Sequence, residues 1–190
     1  MKTNEQKKLE LAELELRTRQ LEEELSAAEV KPFQPKGYYA ANYATTGFML
    51  GSIGAMSSLV FNIIGSALVG QYPLELIRVY LTFPLGDRAL EIDSGLALAV
   101  GCCLYLATGM LLGIPVYLAL TYWTANGSLL KRLAVASVVS LVIWVVMYYG
   151  ILSWLQPALV EMKPENLIIH RVPPWVAALT HLVFGWTLAV

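Results

Sequence analysis

Four long stretches of this chain contain no Asp, Glu, Lys or Arg, and they constrain its fold more than any other feature. They cover residues 37–74, 94–130, 133–160 and 172–190. A helix needs about 20 apolar residues to cross the hydrocarbon core of a bilayer. Helices and closed barrels are the structures that satisfy every backbone N–H and C=O group without water. The sequence therefore predicts an all-α integral membrane protein.

Each stretch predicts one transmembrane helix, and together the helices form a transmembrane domain over residues 44–190. We predict the four spans at about residues 44–69, 95–123, 133–155 and 174–190. The fourth is short, because its roughly 17 residues give a helix of about 25 Å. Either the bilayer thins there or the helix is embedded among partners.

The charged residues are concentrated at the N-terminus, where residues 1–36 hold 15 of the 27. Residues 1–30 are predicted to form a cytoplasmic amphipathic helix, because residues 4–29 contain no Gly or Pro and are rich in Glu, Leu, Ala, Lys and Arg. Four leucines follow the spacing of a coiled-coil seam: Leu11, Leu14, Leu21 and Leu25. A seam this short is marginal alone. We predict that it docks a helical partner, which could be another copy, another subunit or a loop of this chain; the alternative is a frayed, solvated helix.

Two further segments lie at the predicted membrane boundary. Residues 31–43 are predicted to form a linker, since Pro32 and Pro35 break helices and its aromatic side chains suit the bilayer interface. Residues 73–84 read as a short interfacial helix between spans one and two, with Glu75 and Arg78 facing outward. The distribution of Lys and Arg between the two sides places both termini in the cytoplasm, and we expect a bacterial inner membrane.

Small and polar residues form stripes on the predicted spans. In lipid, small residues allow helix backbones to approach closely, and polar residues form hydrogen bonds across helices. The predicted helix-packing residues are Gly47, Gly51, Gly54, Ser58, Asn62 and Gly65 in the first span, Gly101, Gly109 and Gly113 in the second, and Gly185 in the fourth. We therefore expect these faces to contact protein rather than lipid.

His181 is the only residue of the Asp, Glu, Lys, Arg and His set within a predicted span, which makes it a candidate site by default. It could bind haem, relay protons or form a hydrogen bond between helices. The only other histidine, His170, would lie about 16 Å away along a helix axis. No cofactor is therefore predicted for this chain alone, although a haem shared with another subunit could use His181. The simpler interpretation is a neutral histidine that joins two helices.

We find no catalytic motif, so we expect no enzyme activity and no nucleic-acid partner. In general shape the chain is similar to small accessory subunits of bacterial respiratory assemblies, with a charged arm and a few charge-free helices. The predicted function is thus a non-catalytic structural subunit of a larger membrane complex, possible hosts being respiratory or other energy-transducing assemblies. Its partners would be other membrane subunits and the lipid bilayer. One alternative is a small homo-oligomeric transporter or channel, with Asn62, Thr108 and His181 along the path. Another is a membrane anchor subunit that shares a haem.

Overall fold

The computed structural model describes residues 4–27, 36–125 and 127–190, and every regular element in those ranges is helical. The chain divides into two compact units, Met1–Lys36 and Gly37–Val190. The prediction of an all-α protein is confirmed for the described ranges. The two units are treated separately below.

The first unit contains one helix, α1, which spans Asn4–Ala27. It contains no Gly or Pro, and its Glu, Leu, Lys and Arg residues all favour helix. Its leucines are exposed, with 63% of Leu14 and 53% of Leu21 accessible. Residues 28–30 of the predicted helix lie outside the described residues, and so does the side chain of Leu25. The helix therefore presents apolar side chains that no other described residue of this unit covers.

The second unit is built on three long apolar helical runs. These are α2 (Lys36–Leu68), α4 (Gly95–Thr124) and a continuous run of three elements, namely α5 (Leu129–Val145), a π-helical segment (Val146–Leu152) and α6 (Ser153–Leu159). Among the described residues, three helices are long and apolar enough to cross a membrane. This agrees with an integral membrane protein.

A shorter helix, α8, occupies the predicted fourth span at Pro174–Ala189. Its 16 residues measure about 24 Å, so it falls short of the three long runs, and its crossing of the bilayer stays a prediction. Pro174 is at its first position, where the missing N–H leaves no hydrogen bond unmade. Two short elements precede it, a 3₁₀ turn at Pro164–Asn166 and α7 at Ile168–Arg171.

The contacts of α8 fix its direction in the unit. Gly54 near the middle of α2 lies against Phe184 and Leu188, whereas Asn62 further along α2 bonds to Thr180. Since the α8 numbers fall as the α2 numbers rise, the two helices run antiparallel. This arrangement is the one that four alternating spans would adopt.

Two helical runs have boundaries that differ from the sequence prediction. The described part of the predicted linker, residues 36–43, is already helical, because α2 begins at Lys36; residues 31–35 lie outside the described residues. The third run starts at Leu129 and continues past Gln156 to Leu159, four residues beyond the predicted end. Gln156 is buried and bonded on both sides of its amide, which holds this last turn in place.

The predicted short helix between spans one and two is present as α3, Glu75–Leu85, followed by a 3₁₀ turn at Gly86–Glu91. Its position at the bilayer interface stays a prediction. Gly86 adopts a φ of 63°, a left-handed conformation that glycine takes without steric cost. The expectation that Arg78 faces outward is wrong, since only 14% of its side chain is exposed. Its Nε donates to the carbonyl of Ile92, and its guanidinium also pairs with Asp93. Arg78 therefore ties α3 to the residues that precede α4.

Candidate functional site

A cavity of about 500 Å³ lies within the second unit. Its walls come from α2, α3, α4, α5, the π-helical segment, α6, α7 and α8, and most of the lining side chains are apolar. The polar or hydroxyl-bearing side chains that line it are Ser58, Tyr80, Tyr105, Thr108, Ser140, Tyr148, Thr180 and His181. An apolar cavity with a few polar groups is the usual form of a small-molecule site.

The cavity opens sideways along α4. Leu104 and Leu111 both line it, and they are 43% and 61% exposed. Ala107, between them, lines it and is also exposed. In a helix that crosses a membrane, such exposed apolar residues face lipid. The mouth of the cavity therefore lies where an apolar molecule could enter from the bilayer.

His181, the residue that the sequence singled out, lines this cavity. Its Nδ1 lies 2.8 Å from the carbonyl oxygen of Ala177, one turn earlier in α8. A carbonyl oxygen only accepts, so Nδ1 carries the hydrogen and Nε2 of the neutral ring keeps its lone pair. Within the described part of the chain, no hydrogen bond to Nε2 is formed. A haem on His181 shared with another subunit, which the sequence left as an alternative, stays an alternative.

Two pairs of hydroxyl groups in the cavity wall join separate helices. Thr108 donates to the carbonyl of Leu104 at 3.0 Å and is hydrogen-bonded to the Tyr80 hydroxyl of α3. Ser58 donates to the carbonyl of Ala55 at 2.9 Å. The hydroxyl of Tyr105 is also 2.9 Å from the Ser58 oxygen. These bonds hold α3 and α2 against α4 on two sides of the cavity.

Asn62 also joins two helices, as the packing prediction expected of a polar residue. Its Nδ2 donates to Thr180 Oγ1 at 2.9 Å and to the carbonyl of Ser58 at 2.7 Å. Thr180 lines the cavity, whereas Asn62 itself does not. Three residues were expected along a transport path. Thr108 and His181 line the cavity, whereas Asn62 does not line it and contacts Thr180, which does.

The predicted glycine stripes of α2 and α4 lie against each other within the chain. A Cβ on Gly47 would come within 2.8 Å of the carbonyl oxygen of Gly113, and a Cβ on Gly51 within 2.8 Å of the Met110 Cα. A Cβ on Gly109 would be 3.1 Å from the Gly51 oxygen. Backbone meets backbone here, so no side chain fits. These faces are occupied by the chain itself and are not left for a partner.

The other predicted packing glycines have different surroundings. Gly54 faces Phe184 of α8, and a Cβ on Gly101 would lie 2.6 Å from a methyl group of Ile77 in α3. Gly65 has nothing within 4 Å, so the stripe of α2 extends past the helix contact. The stripe therefore predicts which face is apposed to other helices, but not where the contact ends.

Gly185 allows α8 to approach α5 closely. A Cβ there would overlap the Ser140 Oγ and would lie 3.2 Å from the carbonyl oxygen of Ala136. Ser140 is buried, and its hydroxyl has no hydrogen-bond partner. Its oxygen is enclosed by this contact, although the residue borders the cavity.

Sequence reasoning missed the π-helical segment, which supplies a wall of the cavity through Met147, Tyr148 and Ile151. Such segments occur often at functional sites. The Tyr148 hydroxyl bonds to the carbonyls of Ile169 and Val172, which fixes the connection to α8. No residue type in this stretch of Val, Met, Tyr and Leu marks a π-helix. The change of winding follows from packing.

Sequence reasoning also missed Gln156, which is completely buried. Its amide nitrogen donates to Thr82 Oγ1 and its oxygen accepts from the backbone N–H of Ile168, each at 2.9 Å. One side chain thus joins α6, α3 and α7 beside the cavity. The available signal was an amide at the end of a charge-free stretch, where a bonded partner is required.

Among the described residues, no group of three or more His, Cys, Asp or Glu side chains could hold a metal ion. Comparison of the chain with protein-family models, with curated proteins and with solved structures produced no match. The functional argument therefore depends on the geometry above.

Proposed function

We propose that this protein is a non-catalytic subunit of a larger membrane complex, and that α1 holds a helical partner outside the bilayer. The observation that carries the proposal is the exposure of the seam leucines of α1, which is 61% at Leu11, 63% at Leu14 and 53% at Leu21. Exposed apolar surface is stabilised by burial, at about 25 cal/mol for each Å². In proteins most of the stability of a helix comes from packing its apolar face against another element. A second helix on the leucine seam would bury this apolar surface and stabilise α1.

The membrane unit contributes anchoring in this proposal. Because its glycine stripes are occupied within the chain, partner subunits would contact other faces. The outer face of α2 offers an apolar surface that suits either lipid or another helix, formed by Met49, Ile53, Met56, Val60 and Ile64. A host in energy transduction, a bacterial inner membrane and two cytoplasmic termini are parts of this proposal, the last resting on the Lys and Arg distribution.

The test compares two double variants of α1 by native gel after mild-detergent extraction from native membranes. Leu14→Glu with Leu21→Glu places charges on the seam, whereas Leu9→Glu with Leu16→Glu places the same charges, at the same spacing, on another face. We expect the first variant to leave the complex and the second to remain in it. Co-migration of both variants with partners, or a native protein without partners, would contradict the proposal.

A homo-oligomeric transporter is the second candidate, and one observation favours it. Thr108 and His181, both expected along a path, line the same cavity. This function predicts that the purified protein exchanges a solute in liposomes, and that blocking the cavity stops the exchange. It also predicts a native band that contains only copies of this chain.

A further inference from the structure

We propose that the cavity binds a lipophilic molecule that carries a hydroxyl group, and that this hydroxyl donates its hydrogen bond to Nε2 of His181. The inference concerns the second unit alone, so it does not depend on α1 or on a partner complex. It follows from which polar hydrogen atoms of the cavity wall are already donated to acceptors within the protein.

The hydroxyl hydrogens of the α3, α4 and α2 walls are all committed. The arrangement that forms the most hydrogen bonds has Thr108 donating to the carbonyl of Leu104 and Tyr80 donating to Thr108. By the same rule, Ser58 donates to the carbonyl of Ala55 and Tyr105 donates to Ser58 in the arrangement with the most hydrogen bonds. Each hydroxyl carries one hydrogen, and none is left on these walls for a ligand.

The polar groups of the remaining walls also use their hydrogens within the protein, apart from Ser140. Thr180 donates within the protein at 2.8 Å to the carbonyl of Val176, and Tyr148 donates to loop carbonyls. His181 uses its Nδ1 hydrogen on Ala177. Ser140 keeps a hydrogen without a partner, but its oxygen is enclosed against Gly185. The wall therefore offers acceptors, and the imidazole Nε2 is the strongest of them.

This pattern selects the chemistry of the ligand. A molecule with only carbonyl or ether oxygens would bring further acceptors to a wall of acceptors, and both sets would remain unpaired. A hydroxyl group supplies the missing donor. The volume of about 500 Å³ falls within the range of small-molecule sites. The mouth beside Ala107 admits the ligand from the lipid side.

The experiment uses the full chain in detergent and two probes, 1-hexadecanol and its methyl ether, in which a methyl group replaces the hydroxyl hydrogen. Binding is measured by titration with native mass spectrometry. We expect the alcohol to bind about tenfold more tightly than the ether, the loss expected for one unmade hydrogen bond. Equal binding of the two probes by the unaltered protein would overturn the proposal without reference to any variant.

Two variants locate the effect. His181→Phe keeps a flat ring and removes the acceptor, so the preference for the alcohol should fall to about one; an unchanged preference would assign the donor to another residue and overturn the proposal. Ala107→Phe should weaken both probes by blocking the mouth. Its matched control is Cys103→Phe, which lies one turn earlier, is exposed and does not line the cavity. If Ala107→Phe bound like the control, the site would not be this cavity.

A second probe pair distinguishes two natural sources of the hydroxyl. The quinol and quinone forms of a decyl-substituted benzoquinone differ in whether the ring oxygens carry hydrogen. Preference for the quinol would add membrane quinols to the ligands supported by the proposal. Preference for hexadecanol alone would restrict the ligand to aliphatic alcohols.

Discussion

Two faces of α4 pack in different ways. On one side, Gly109 and Gly113 lie against Gly51 and Gly47 of α2, and the backbones touch. On the adjoining face, Thr108 and its neighbours line a cavity of about 500 Å³, with Gly109 at the boundary between the two faces. Both surfaces belong to one helix of uniformly apolar composition. Composition therefore does not decide whether a helix face packs tightly or leaves space.

Side-chain size explains the difference. Where glycine faces glycine, no side chain stands between the two helices, so their backbones make the dispersion contacts directly. Where the large side chains of Tyr80, Tyr105 and Tyr148 stand between helices, they hold the helices apart, and the hydroxyl pairs fix that separation. The close contact anchors the fold, and the wide one creates the site.

The largest expected effect comes from filling the close contact. Gly51→Leu should destabilise the protein by about 3 kcal/mol, because any side chain there meets the Met110 backbone. Thermal unfolding in detergent, followed by circular dichroism, measures the change. Gly65→Leu is the matched control, since its position is open and should change stability by no more than about 0.5 kcal/mol. Equal effects of the two variants would contradict the backbone contact.

Removing the amide of Gln156 should come second. Gln156→Leu keeps a similar volume but leaves the backbone N–H of Ile168 buried without its acceptor. Such a loss should reduce the free energy of unfolding by about 2 kcal/mol. The same unfolding assay applies, with Gln71→Leu as an exposed control. No loss in Gln156→Leu would mean that α7 does not depend on this bond.

A smaller effect is expected from the bond between Asn62 and Thr180. A double-mutant cycle with Asn62→Leu and Thr180→Val should give a coupling of about 0.6 kcal/mol, and at most about 1.7 kcal/mol, as measured for such bonds in membranes. Reversible unfolding in mixed detergents provides the four free energies. The cycle of Asn62→Leu with Thr187→Val should show none, because Thr187 bonds to its own helix. Equal coupling free energies in the two cycles would show that the bond between Asn62 and Thr180 is not the cause of the coupling.

The smallest effect should follow from filling the wide side. Ala107→Phe inserts a side chain larger than leucine at the cavity mouth, yet the free energy of unfolding should change by no more than about 0.5 kcal/mol. Thermal unfolding beside Gly51→Leu makes the comparison direct. A loss as large as that of Gly51→Leu would show that the cavity is not available space.

Local composition and spacing determined the class of the protein and much of its layout. Charge-free stretches predicted the apolar helices because buried backbone groups in lipid must bond within their own helix. The proline at position 174 marked the start of α8, and the stripes marked which faces of α2 and α4 are apposed. His181 stood out because it is ionisable in an apolar segment.

The tertiary structure alone decided which surfaces meet. The sequence could not specify that the two glycine stripes contact each other, because a stripe defines a face without naming its partner. The π-helical segment, the burial of Gln156 and the cavity also depend on neighbours distant in the chain. Hydrogen-bond direction is the final example: whether His181 offers a donor or an acceptor depends on the carbonyl that its other nitrogen reaches. Such properties arise from contacts between helices, which local pattern does not encode.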